Sequence, residues 1–280
     1  MSGKRSTFLL TALAFGYAFL YIPIISLVVY SFNESKLVTV WGGFSTKWYG
    51  ELFQSELMID AALLSLRIAI VTAFFAVALG TLAGFVIARM RHFRGRILFA
   101  GMATAPLVMP EVITGLSLLL LFVALDGMIG WPAGRGVTTI TIAHITFCMA
   151  YVAVVVQSRL GDMDASLEEA AMDLGARPVK VFFVITLPII TPALVSGWLL
   201  AFTLSIDDLV IASFVSGPGS STLPMVIFSK VKLGVSPDVN ALATIIIGVV
   251  ATGIILATVI MKRAETKRQK DVQMAIAANE

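Results

Sequence analysis

Two runs of this 280-residue chain set carboxylates inside apolar sequence, Pro110-Glu111-Val112-Ile113 and Ser205-Ile206-Asp207-Asp208. No Lys or Arg occurs between Arg96 and Arg135, or between Lys180 and Lys230, so neither run brings a basic partner of its own. An acid at membrane depth is costly and marks a site by default. Acids so placed offset part of the desolvation of an ammonium group, which suits a path for a di- or polycation. Other readings stand beside this one. Glu111 is equally suited to be a neutral acid satisfying backbone that the proline kink frees, to pair with another span or chain, or to face water. Asp207-Asp208 also fits an outer interface, in water. Successive helical residues are about 100° apart, so at most one of the two aspartates points straight at a given cavity while the other caps or hydrogen-bonds.

Other constellations carry less. His144 and Cys148 stand four apart in an apolar run, and two soft ligands with no third candidate nearby make a hydrogen-bonded helix histidine the expected reading, with no metal. Cys148, the single cysteine, reads as a packing residue. No Gly-x-x-x-x-Gly-Lys-Ser/Thr phosphate loop and no Gly-x-Ser-x-Gly elbow occur, so the chain is not expected to be an enzyme or to hold a cofactor. If ATP drives its work, the energy arrives from another polypeptide.

The elements that position these residues follow from composition. At 58% hydrophobic against 13% charged, this is a membrane protein. Six stretches are long and apolar enough to cross a bilayer, at about Phe8 to Phe32, Leu63 to Ala88, Ile97 to Leu125, Val137 to Gln157, Pro188 to Val215 and Ala241 to Met261, each near the roughly 20 residues a spanning helix needs. The first is too long for a cleaved signal and is expected to be retained. With the N-terminus inside, 14 of the 20 Lys and Arg fall on inner segments, so both termini are expected in the cytoplasm. Pro106 and Pro110 interrupt the third span, and Pro188 and Pro192 open the fifth; such breaks survive in lipid where protein or a water-filled cavity replaces the lost bonds. Gly80 and Gly84 let the second span approach a neighbour, within the chain or in another subunit. Arg67, near the outer end of that span, can snorkel to the interface. Trp41, Trp48 and Tyr49 suggest an amphipathic segment resting on the outer surface. Pro224 to Phe228 is apolar enough to dip back into the membrane, and the tail from 262 to 280 reads as a basic cytoplasmic anchor.

One polar stretch, Arg159 to Pro188, stands apart. Ser166 and Glu169 have capping-box spacing. Leu167, Ala170, Ala171 and Leu174 form a narrow apolar stripe at helical spacing while Glu168, Asp173 and Arg177 point elsewhere. Gly175 suits a helix end and Pro178 the first turn of the next helix. A hairpin lying on the membrane surface is the plain alternative.

Within that stretch Glu169-Ala170-Ala171, Gly175, Ile185 and Leu187-Pro188 fill every position of a spaced pattern. The pattern resembles the cytoplasmic loop of permease subunits of bacterial ABC importers, whose coupling helix docks in a groove of the ATPase. The Pro110-Glu111 and Ser205-to-Asp208 runs, and more weakly Trp48-Tyr49 with Leu52-Phe53, are similar to parts of polyamine permeases of the spermidine/putrescine type. The resemblance covers nearly the whole chain. It implies an all-α membrane protein of the ABC importer type I permease fold: a single domain over 1–280, six transmembrane helices, and a cytoplasmic coupling loop at 159–187 between spans four and five. It further implies a bacterial inner-membrane location and passage of a polyamine, putrescine foremost, from periplasm to cytoplasm. Its implied partners are a homologous but different permease, two ATP-binding subunits, a periplasmic polyamine-binding protein and the lipid bilayer, with no nucleic acid. Closure of the ATPase subunits would move Glu169 to Gly175 as a lever, in rigid-body gating. A carrier driven by an ion gradient, or a permease for another small solute, is the competing expectation.

Overall fold

The computed structural model describes residues 7–37, 40–90, 92–234 and 236–253, with 255, 259 and 262. Lys4, Arg5, Arg91 and the basic tail beyond Lys262 lie outside the described residues. Among the described residues the fold is helical apart from one isolated bridge between Asn33 and Phe44. In chain order the helices are α1 (Thr7–Tyr30), α2 (Lys47–Gln54), α3 (Glu56–Arg89), α4 (Arg96–Val108), α5 (Glu111–Ile129), α6 (Val137–Asp162), α7 (Ser166–Asp173), α8 (Pro178–Val181), α9 (Leu187–Ile206), α10 (Val210–Val215), α11 (Leu223–Leu233) and α12 (Pro237–Gly253). A π-helical turn, Phe182–Thr186, joins α8 to α9. Five of these are long and apolar enough to cross a bilayer: α1, α3, α5, α6 and the continuous run Pro178–Ile206. The sixth predicted span is represented by α12, and most of its last residues are outside the described ones.

Two predicted spans are each two helices. The third breaks at Met109, whose backbone is extended (φ −77°, ψ 136°), because Pro110 disfavours helical geometry in the residue before it and has no N–H to continue the ladder. The fifth stops at Ile206 and restarts at Val210. There the Asp208 carboxylate accepts the amide protons of Ala212 at 2.8 Å and Ile211 at 3.4 Å, satisfying donors that a new helix start leaves open. At its N-terminal end the fifth span runs on without interruption into the polar loop. A wide π turn there makes room for the Pro188 ring, which would otherwise press on the carbonyl four residues back.

Two compact units make up the chain, residues Leu57–Ser229 and the terminal segments Met1–Glu56 with Lys230–Glu280. In the first, α6 is the central helix and packs on α9 and α10, while α5 packs on α10. Its buried side includes Ile140, Phe147, Val152, Val156 and Leu160. The Gly80 and Gly84 stripe seats α3 on α6 within this chain. A Cβ at Gly80 would come 2.7 Å from Val152 Cβ, and one at Gly84 would come 2.7 Å from the Ala153 carbonyl oxygen. The Thr139 hydroxyl donates to the Val215 carbonyl at 2.7 Å, fixing α6 to the end of α10.

In the terminal unit Trp48, at the start of the short α2, turns inward onto the loop that precedes it. Trp48 is only 4% exposed, and its Nε1 donates to the Asn33 carbonyl at 2.6 Å. The buried Asn33 side chain accepts from the Gly42 amide at 2.8 Å and donates to the Val40 carbonyl at 2.8 Å. One amide thus gathers a loop whose backbone groups would otherwise go unpaired. Trp41 stays exposed, as an interfacial residue would. Lys230 and Ser236 both bond the Asp238 carboxylate at the turn between α11 and α12.

Candidate functional site

The polar loop is built from α7, α8 and the π turn. α7 is started by Asp164, not by Ser166. The Asp164 carboxylate accepts the Ser166 amide proton at 2.9 Å, while the Ala165 carbonyl takes the amides of Glu168 and Glu169. Ser166 therefore stands inside the first turn, so the expected capping box with Glu169 does not form. The reason is reach: an aspartate side chain bonds the backbone two residues on and closes the turn before serine is placed to do so. The Ser166 amide and hydroxyl hold the Asp164 carboxyl below its ordinary value. α7 ends where Gly175 takes a left-handed φ of +86°. The Ala176 amide then bonds the Ala171 carbonyl at 3.1 Å and the Gly175 amide the Met172 carbonyl at 2.8 Å, a closure that glycine permits at little strain. Pro178 opens α8.

Of the patterned residues, Glu169, Ala170, Gly175 and Pro188 are exposed, while Ala171, Ile185 and Leu187 are half-buried. Most of the stripe is uncovered. Leu167 and Leu174 are 48% and 90% exposed and Ala170 is exposed, with Ala171 half-buried between them, leaving an apolar face on a short charged helix.

Glu168, which spacing alone sets aside as pointing away from the stripe, holds the loop in place. Its Oε2 lies 2.8 Å from Arg89 Nε at the end of α3, and its Oε1 accepts the Thr186 hydroxyl at 2.6 Å. The side chains of Arg89 and Glu168 are 18% and 12% exposed, so the pair is mostly removed from water. One carboxylate thereby joins α3, α7 and the π turn leading into α9. A cleft of about 500 Å³ opens beside it, lined by Phe85, Arg89, Glu169, Met172 and Phe182 among others. The signal available in sequence was the first of four arginines, Arg89, Arg91, Arg94 and Arg96, that follow the second span, and a glutamate next to the motif, with nothing to bring Arg89 and Glu168 together.

The membrane acids separate by environment. Asp208 is 8% exposed and His144 1%. His144 Nε2 is 3.2 Å from Asp208 Oδ1, and its Nδ1 is 2.8 Å from Ser205 Oγ. With its bonds to the α10 amides, Asp208 is therefore occupied inside the chain. Its basic partner comes from α6, a different span. Both ring nitrogens of His144 are engaged, and Cys148 bonds the Ala201 carbonyl at 3.6 Å, so the two do not converge on a common ligand position. Asp207, the last-turn neighbour at the end of α9, is exposed. Glu111 is exposed in the first turn of α5, where the helix N-terminus favours a carboxylate. The breaks carrying these acids are neighbours. Gly115, one turn beyond Glu111, faces Ile211 and Phe214 so closely that an added Cβ would sit 2.8 Å from the Phe214 ring.

This arrangement of broken spans and one polar loop has known counterparts. The fold matches a chain of a bacterial ABC transporter involved in the import of the acidic polysaccharide alginate, with a TM-score of 0.70, 17% identity, and coverage of 92% of this chain and 97% of that one. In sequence the chain is 62% identical over 271 residues to the putrescine transport system permease protein PotI of Escherichia coli (strain K12), covering 97% of this chain and 96% of the relative. It is 43% identical over 251 residues to the spermidine/putrescine transport system permease protein PotC of the same organism, covering 90% and 92%. Residues 76–270 match the family described as binding-protein-dependent transport system inner membrane component, a stretch that holds both acid-bearing breaks and the whole polar loop. The chain belongs to that family, and is an all-helical inner-membrane permease component of an ABC importer.

Proposed function

We propose that this permease passes a polyamine, putrescine in the first instance, from periplasm to cytoplasm, beside a homologous but different permease. Two ATP-binding subunits beneath it and a periplasmic polyamine-binding protein above it complete the assembly. The 62% identity to a putrescine permease supports the substrate, and exposed acids at two neighbouring helix breaks fit a cationic cargo. Asp207 and Glu111 are the acids offered to the ammonium groups. Asp208, the third acid of the pathway, acts from its place against His144 by holding the break at which Asp207 sits.

The observation that carries the ATP coupling is the uncovered stripe of α7. A short helix with exposed Leu167 and Leu174 and small Ala170 and Ala171 between them suits a groove on a partner, since small residues allow close backbone approach. Glu169, Ala170, Ala171, Gly175, Ile185, Leu187 and Pro188 form the docking element, and residues 159–187 the cytoplasmic coupling loop. Both termini and the basic tail are cytoplasmic, and six spans form a single permease domain. The test is ATP-dependent uptake by the complex reconstituted in vesicles. Putrescine uptake that requires ATP and the binding protein, and that competing diamines reduce, is expected. Uptake driven by an ion gradient without the ATPase, or transport of an uncharged solute in preference to diamines, would refute the reading.

A further inference from the structure

We propose that the outer groove between α3 and α6 is a binding site for an anionic phospholipid, with the lipid phosphodiester on Arg67 and an acyl chain lying along Val71, Phe75 and Ile145. The groove has a volume of about 410 Å³ and is lined by these residues together with the start of α6 around Val137 and Thr138.

Depth is the first argument. Residues 68–88 of α3 carry no charge between Arg67 and Arg89. At about 1.5 Å per residue this stretch measures roughly 31 Å, close to the ~30 Å of a bilayer's hydrocarbon. The two arginines therefore stand at the two headgroup levels. Arg89 meets Glu168 there. Arg67 is exposed, and among the described residues no carboxylate pairs with it. A guanidinium at the rim of the hydrocarbon, with its charge unmatched by protein, calls for an anion at that level.

Shape is the second. The mouth of the groove is polar, with Arg67 and Thr138 at the level where α6 begins; the wall below it is mainly apolar, with Val71, Phe75 and Ile145 running toward the bilayer centre, and its one polar side chain, Thr141, is turned back to the Val137 carbonyl. One anionic head over one long apolar tail matches that order. Arginine also presents several donors in a fixed fork suited to phosphate oxygens. The leaflet concerned is the periplasmic one if both termini are cytoplasmic, as proposed above; the site itself does not depend on that orientation.

The experiment uses the full complex in phosphatidylethanolamine vesicles containing a phosphatidylglycerol with a photoreactive acyl chain, with adducts mapped by peptide mass spectrometry. Adducts are expected at Val71, Phe75 and Ile145. They should fall about fivefold in Arg67→Ala, the worth of one basic residue at an anionic headgroup, and fall less in Arg67→Lys, which keeps the charge but not the fork. In the wild-type complex, unlabelled phosphatidylglycerol should displace the probe and phosphatidylcholine should not, an arm that needs no variant to fold. Adducts spread evenly over the lipid-facing helices, adducts unchanged by Arg67→Ala, or equal displacement by both lipids would overturn the proposal. So would a photoreactive residue at Thr138 that captures the sister permease instead of lipid.

Discussion

Removing the Glu168 carboxylate should uncouple transport from ATP hydrolysis without dismantling the permease. The carboxylate makes two contacts, to Arg89 Nε at 2.8 Å and to the Thr186 hydroxyl at 2.6 Å. Breaking a fully buried ion pair by removing one partner costs about 3–5 kcal/mol. The side chains here retain 18% and 12% exposure, so water compensates part of the loss and about 2 kcal/mol is the working figure for Glu168→Ala. Glu168→Gln keeps an acceptor for Thr186 and should cost about 1 kcal/mol. Because the contacts join α7 to α3 and to the π turn, the cost falls on the fraction of molecules whose α7 is held where a partner meets it. A 2 kcal/mol penalty corresponds to about a thirtyfold smaller competent fraction relative to the rest. The assay is putrescine taken up per ATP hydrolysed in reconstituted complex, measured for Glu168→Ala, Arg89→Ala and the double variant. Each single change should lower that ratio, and the double should be little worse than either, giving a coupling energy of about 1–2 kcal/mol. Losses that simply add, within about 0.5 kcal/mol, would refute the idea that this pair positions the loop.

Four further outcomes follow from the geometry. Asp207→Asn, at an exposed position, should leave assembly and melting temperature unchanged while lowering putrescine uptake several-fold; unchanged uptake removes Asp207 from the pathway. His144→Ala leaves the buried Asp208 without its α6 partner and should destabilise the solubilised protein by about 1–3 kcal/mol, visible as a lower melting temperature. Gly84→Leu forces side-chain atoms into the Ala153 carbonyl and should cost about 1–3 kcal/mol or more through overpacking, read in the same melting assay; a wild-type melting point would show that α3 does not seat on α6 there. Asp164 stabilises the start of α7 as an anion. Its carboxyl is held below 3.8 by the Ser166 amide and hydroxyl, so that stabilisation is complete above pH 3.8 and is lost only as pH falls through the depressed value. Hydrogen exchange of the first α7 amides should therefore show equal protection at about pH 6 and pH 8, and Asp164→Ala should lower it at both.

Much of the molecule was legible from residue order because its signals are local. Apolar runs of bilayer length need no tertiary information, since a chain in lipid must satisfy its backbone within each helix. Gly175 and Pro178 likewise announce a helix end and a helix start through their own backbone limits, and Pro110 marked the interruption of the third span. Sequence left undecided how severe each break is. Only the fold shows α4 and α5 as separate helices, and α9 ending where the Asp208 carboxylate starts α10.

Partnerships across the chain were beyond sequence for a different reason. Asp208 has no basic partner within its own span, yet His144 stands against it from α6, 64 residues away. Spacing places Glu168 off the stripe, and only the fold brings Arg89 to it from the end of another span. Trp48 reads in sequence only as an aromatic with a polar edge, and the fold alone shows its ring nitrogen bonded to the Asn33 carbonyl. Composition and periodicity determine which segments are helices and which must lie in lipid, since those depend on each residue and its near neighbours. Which acid is engaged inside the protein and which stays exposed depends on side chains that meet only when distant helices pack, and the tertiary structure alone decided that.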